Sequence, residues 1–203
     1  VEIGSIQVTP FPALDVDVDS VFHVQAGGLN ILNVVDSWID PDTLCVLKNR
    51  GPWDLILWPF QTMREIEVLS PSRFKNQAVE FPHEWLQQIQ LLKPKTIVPS
   101  SCQFIHESWS WYNHAFFPIT YHRFEKEIKS ILPQAQVMRM NPGVSVTMTE
   151  YDVYLSSPLS WIKPIGDQDV DYDYRSDLLI PSTAQISAKI APVKNSERDR
   201  VYN

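Results

Sequence analysis

The chain has 203 residues, 44% hydrophobic and 20% charged, enough for one domain with a real core and incompatible with wholesale disorder. Its net charge of −7 argues against a nucleic-acid binder, because phosphate contacts need a basic face. No apolar run approaches the roughly 20 residues that span a bilayer, and the opening VEIGSIQVTPF has neither the basic start nor the apolar stretch of a signal peptide.

In chain order, Ile3 to Phe11 alternates apolar and polar residues, the pattern of a half-buried strand. Asp15, Asp17 and Asp19 alternate with Val16 and Val18 and read as a continuation with one wet face. SVFHVQAGGLNILNVVD predicts a hairpin, Val21 to Gln25 and Asn30 to Val35, turning at Gly27-Gly28. Asp36 ends that run, either as a cap for the following helix or as a carboxylate aimed into a site. Asp40-Pro41-Asp42 opens a short helix through Leu47. Asp54 to Trp58 is wholly apolar after its first residue, which suits an inner strand covered on both faces and flanked by 31–35 and 96–98.

Pro82 to Leu92 is an amphipathic helix with Trp85, Ile89 and Leu92 on one face, and Thr96 to Val98 is a short strand. Phe104 to Tyr121 holds Trp109, Trp111, Tyr112, Phe116 and Phe117 without a clear period. It reads as a long packed loop, either a binding wall or core packing, which aromatic content does not separate, with Trp38, Trp109 and Trp111 the candidate substrate contacts. Thr120 caps a helix through Leu132 with Phe124 and Ile128 inward. QAQVMRM, Asn141-Pro142-Gly143 and VSVTM then predict a second hairpin. The register changes after Met148, which divides the chain into 1–148 and a 149–203 extension made of an acidic loop and a helix or tail. Strands interleaved with helices give an α/β (α+β) layered fold, a mixed sheet covered by helices.

Several stretches fall into a familiar order: VTPFPAL, then ILNVVDS, a helix, GPWDLILWPF, a second helix, LKPKTIVPS and finally MNPGVSVTM. Over roughly residues 3–148 this resembles the C-terminal half of metallo-β-lactamase-fold hydrolases, most of all the branch of ascorbate-6-phosphate lactonase and N-acyl-phosphatidylethanolamine phospholipase D. The resemblance implies part of an αββα sandwich whose zinc, or another divalent metal, makes a hydroxide from bound water to attack an ester, lactone or phosphodiester. It also implies that Asp36 is the bridging metal ligand.

The departures are equally specific. No stretch carries the family's His-x-His-x-Asp-His signature, and Leu14 and Asp15 stand where a ligand histidine would follow VTPFPAL. Ser100-Ser101 replace the last ligand histidine, and Val35 stands where glycine usually precedes the aspartate. His106 and His114, in the aromatic loop, are candidates for the missing place, and Asp15 or Asp17 for a hard cation. His23 is in a strand pattern and reads as sheet-facing; His83 and His122 pair with no second histidine. Asp167 to Asp173 resembles the start of a calcium loop, but Tyr172 and Leu178 occupy the positions that need Gly and Glu, so it reads as a solvated acidic loop. Ser100-Ser101 lack a nucleophile elbow. No catalytic residue is assigned.

Two functions from different classes are consistent with these residues: a metal-dependent hydrolase whose His-rich half lies upstream, or a non-catalytic scaffold or binding module that keeps the fold. The chain has no initiator Met and opens directly into a strand pattern, which reads as a piece of a longer protein. The implied partner is the missing N-terminal half, or a second subunit, covering a bare sheet face. Cys45 and Cys102 are too few for a disulfide framework and read as small buried side chains in a reducing, cytoplasmic compartment.

Overall fold

Glycine-assisted turns and apolar strands build the sheet. A computed structural model describes residues 1–15, 17–60, 64, 79–100, 103–163, 169–178 and 182–189. Seven strands lie side by side in sequence order: β1 (Glu2–Ile3), β2 (Ile6–Pro12), β3 (Ser20–Ala26), β4 (Leu29–Asn33), β5 (Leu55–Pro59), β6 (Thr96–Ser100) and β7 (Gln136–Val137). The first four are antiparallel and joined by tight turns, whereas β4 to β7 run parallel. The change of direction reflects the connections. Gly27 and Gly28 take φ of 58° and 81° in the two-residue turn of the β3–β4 hairpin. Parallel neighbours instead need crossovers, supplied by α1 (Pro41–Leu47), α2 (His83–Leu92) and α3 (Tyr121–Ile131).

Register sorts the side chains. Leu32, Ile56 and Ile97 form one row facing the helices, where Trp85, Ile89 and Leu92 of α2 and Phe124 and Ile128 of α3 close the main core. Trp53, Trp58, Phe60 and Phe124 are fully buried there, each contributing about 1.5–3 kcal/mol of burial. On the opposite face Leu55, Val98 and Met138 meet a small antiparallel sheet, β8 (Val146–Met148) and β9 (Val153–Leu155). The layers are therefore helices, a seven-stranded mixed sheet and a two-stranded sheet. A further helix, α4, spans Thr183–Lys189. The β5 strand is interior, between β4 and β6, as its unbroken apolar run requires.

The second apolar face is covered only in part. It continues from Ile31 through Val24 and Phe22 to Val8 and Ile6 on paired positions, and Phe22 and Ile6 are 39% and 40% exposed.

Three sequence expectations are corrected. The stretch 134–148 is no hairpin: β7 pairs in parallel with β6, and β8 pairs with β9. A turn does form, with Gly143 at φ 83°, but Ile162 packs over it, where a Cβ would meet the isoleucine at 2.7 Å. Asp15 and Asp17 to Asp19 belong to a turn rather than a strand, with Asp15 O accepting from the amides of Val18 and Asp19 at 3.2 and 2.8 Å. Three aspartates in five residues, Asp15 and Asp17 exposed, suit a turn better than a ladder. Cys45 is exposed on α1, because Thr43 and Leu47 take that helix's inward face; Cys102 lies outside the described residues. The start of the calcium-loop-like stretch, 167–168, lies outside them too.

Candidate functional site

Parallel strands deliver their carboxyl ends to one edge, and ligands of open α/β sheets bind outside that edge. Here the edge is formed by the segments that leave β4, β5, β6 and β7, and it has two corners.

The first corner is the turn after β4. Asn33 ends the strand by accepting the Val35 amide on its side-chain oxygen at 3.0 Å, and the Ser37 amide returns to Val34 O at 3.1 Å. Asp36 takes the third position of that turn at φ 63°, where glycine is usual. It is not the helix cap: Asp40 caps α1 by accepting from the Thr43 amide at 2.9 Å. Asp36 is thus left exposed beyond the strand end, three residues past Asn33. The bridge between Ala13 and Ile39, with Leu14 N–H donating to Trp38 O at 2.9 Å, lays the Asp15 segment beside the Asp36 turn. Trp38, 37% exposed, stacks on Trp85 with centroids 5.3 Å apart.

The second corner is the aromatic loop between β6 and α3. Trp111, Ala115, Phe116 and Phe117 form a small core of their own, so Trp111 is packing, whereas Trp109 is 45% exposed. Asn113 organises the loop, accepting the His106 amide at 2.8 Å and donating to the carbonyls of His106 and Glu107. The His106 ring lies against Phe104 and Tyr112.

Segment 169–178 lies along this loop like a strap. Val170, Tyr172, Tyr174 and Leu178 are half-buried, while Asp169, Asp171, Asp173, Arg175 and Asp177 are exposed, a strict alternation through Arg175. Asp171 accepts the amides of Tyr121 and His122 at 3.1 and 2.9 Å, placing a carboxylate on the N-terminus of α3. The Arg139 guanidinium sits 4.1 Å from the Tyr121 ring centroid and donates to Asn141 Oδ1 and Val170 O. His114 donates from Nδ1 to Asp173 O at 2.9 Å, and its ring meets the edge of Tyr172. Arg64, buried after β5, bonds the Tyr174 hydroxyl. Tyr121, Arg139, Val170, Asp171 and Tyr172, with Asn113 and Phe117 of the loop, line a cavity of about 40 Å³. Burial pushes the Tyr121 phenol above its usual pKa; Arg139 opposes the rise and Asp171 adds to it.

The acidic stretch read as a solvated loop is therefore docked. The missed signal is its period-two alternation, DVDYDY, which hides a half-buried face behind three aspartates. Arg64, Tyr121, Arg139 and Asp171 were likewise unmarked in the sequence, since each draws its role from a segment remote in the chain.

A metal finds no ligand set in this arrangement. Among the described residues no three His, Cys, Asp or Glu side chains gather. The buried polar atoms lacking a partner at this edge are Ser37 Oγ, Trp58 Nε1 and His106 Nε2. An indole N–H only donates, and a hydroxyl with one imidazole nitrogen falls short of the three protein ligands of a catalytic zinc. His114 is turned to the strap. His23 is 2% exposed, edge-on to Trp53 and bonded to Asn30 at 2.9 Å, an interior histidine. Ser100 Oγ donates to Val98 O; Ser101 lies outside the described residues.

No family profile matches the sequence, and no curated protein matches it. Among solved structures, the chain is similar to the metallo-β-lactamase fold protein YhfI of Bacillus subtilis, with 8% identity over 77% of this chain and 52% of that one and a TM-score of 0.44. It is similar to Igni18, a metallo hydrolase of the archaeon Ignicoccus hospitalis, with 13% identity over 75% and 54% and a TM-score of 0.42. A mutant of the CmlA β-hydroxylase shares 13% identity over 69% of this chain and 30% of its own, with a TM-score of 0.45. The chain spans about half the length of these structures, or less, and likenesses this distant carry no weight for its activity.

Proposed function

We propose that this chain is a non-catalytic scaffold or binding module that keeps the sheet of a metallo-β-lactamase-like hydrolase and has lost its metal chemistry. The observation that carries the reading is the donor set at the carboxyl edge. Asp36 stands at the ligand position implied by the resemblance, while His114 is engaged by the strap and the His106 ring is packed among aromatic residues. Beside them stand the Arg139 guanidinium and the Tyr121 phenol, with the Asp171 carboxylate already accepting the first amides of α3, and a guanidinium there suits an anionic or neutral group better than a cation.

A specific observation favours the rival reading, an ester, lactone or phosphodiester hydrolase of the lactonase and phospholipase D branch: Asp15 and Asp36 lie on adjoining segments. Two carboxylates there supply part of a zinc or hard-cation site, completed by histidines from an upstream half. In either reading the partner is a second layer, from that half or from another subunit, over the apolar face that runs from Ile31 to Ile6. The net charge of −7 argues against a nucleic-acid partner, and among the described residues no helix is long and apolar enough to cross a membrane. A reducing, cytoplasmic setting is consistent with an exposed free Cys45.

Elemental analysis after chelator-free purification and a calorimetric zinc titration test the reading. The scaffold gives no stoichiometric metal, and Asp36→Ala changes nothing. One zinc per chain that disappears in Asp36→Ala establishes the hydrolase reading instead.

A further inference from the structure

We propose that residues 169–178 form a strap that docks and lifts as one unit, closing the cavity at the carboxyl edge. The inference is independent of whether that edge ever holds a metal. Its basis is a set of contacts spread along an otherwise exposed segment. Asp171 is fixed at one end to the first amides of α3, and Val170 O holds Arg139 beside it. At the other end the Arg175 amide donates to His114 O at 2.8 Å, and the His114 ring holds Asp173 O and Tyr172. The two ends are four residues apart, roughly 13 Å of extended chain.

The strap's own residues Val170, Asp171 and Tyr172 form part of the cavity wall, opposite Gln103, Asn113, Phe117 and Arg139. Lifting it uncovers the cavity and the guanidinium together. Its attachment is weak by comparison with the core. Every second residue faces water, the inward side chains Val170, Tyr172, Tyr174 and Leu178 are only half-buried, and among the described residues the segment pairs with no strand of either sheet. Segments with few buried contacts and solvent-facing hydrogen bonds are the ones that open below the global unfolding free energy. The alternation makes the inward residues leave together, because an extended segment cannot release Tyr172 without disturbing its neighbours on either side.

Hydrogen exchange on the full chain tests this by reading coupling between the ends. The amides of Tyr121, His122 and Arg175 exchange with one common opening equilibrium, faster than those of β5 and β6. His114→Ala, which removes contacts at the far end only, speeds exchange at Tyr121 and His122 roughly five- to thirtyfold and leaves β5 and β6 unchanged. Asp171→Ala, at an exposed position, runs the test in reverse and speeds exchange at Arg175 by a similar factor. It also serves if His114→Ala lowers protection throughout the core. Two results overturn the strap: Arg175 unchanged in Asp171→Ala, which makes the contacts local, or wild-type protection at Tyr121 and His122 equal to that of β5, which makes the segment an integral layer of the fold.

Discussion

Asp54 ties the opposite, amino-terminal edge of the parallel sheet together, and removing it separates two kinds of polar interaction. Its carboxylate is 10% exposed and accepts the Asn30 amide at 2.8 Å and the Lys95 ammonium at 2.7 Å, linking the starts of β4 and β6 to β5. Asp54→Ala leaves the half-buried Asn30 amide without its acceptor, which costs about 1–3 kcal/mol. The ion pair adds at most about 1 kcal/mol, because solvent screens a lysine that is 61% exposed. The total is about 2 kcal/mol, a fall in Tm of roughly 4–8 °C for a chain of this length. Asp54→Asn keeps an oxygen for the amide, and Lys95→Ala removes only the ion pair, so each costs less than about 1 kcal/mol. Urea unfolding of the three variants measures the order. If Asp54→Ala and Lys95→Ala cost the same within about 0.5 kcal/mol, the orphaned amide is not what makes Asp54 matter, and the reasoning fails.

Thr120→Ala removes the cap that accepts the Arg123 amide at 3.0 Å, and a loss of about 1 kcal/mol is expected by denaturant titration. Trp85 is 4% exposed beneath Trp38, Trp58 and Phe81. Trp85→Ala should cost about 3–5 kcal/mol, and Trp38→Ala, more than a third exposed at the rim of the same stack, less. The Tyr121 phenol holds its proton more tightly in the folded chain than in the unfolded one. Its contribution to stability is therefore fully present below about pH 10 and is lost as pH rises through the folded pKa. The difference in phenolate absorbance against Tyr121→Phe should show that titration late, and Asp171→Asn should move it downward because the Asp171 charge raises it.

Local chemistry made most single elements legible. Gly27-Gly28 marked the β3–β4 hairpin, Asp40-Pro41 opened α1, Thr120 capped α3, and the i, i+4 spacing of Trp85 and Ile89 fixed the inward face of α2. The same holds for β5, whose lack of polar alternation identified an interior strand. Each of these signals lies within about a dozen residues, the range over which turns, caps and helical periodicity act.

The tertiary structure alone decided where distant segments meet. Asn141-Pro142-Gly143 is a turn in both readings, yet β7 prefers the open edge of β6 to β8, and nothing within the turn encodes that competition. Asp36 could be named from the sequence, but whether ligands surround it depends on where His106 and His114 point, and one ring packs against Phe104 and Tyr112 while the other turns to the strap. The docking of 169–178 is the extreme case. Its aspartates read as solvated because three charges in five residues outweigh the interleaved apolar positions, and only the opposing surface gives Tyr172 the His114 ring, Tyr174 the Arg64 guanidinium and Asp171 a helix end to cap.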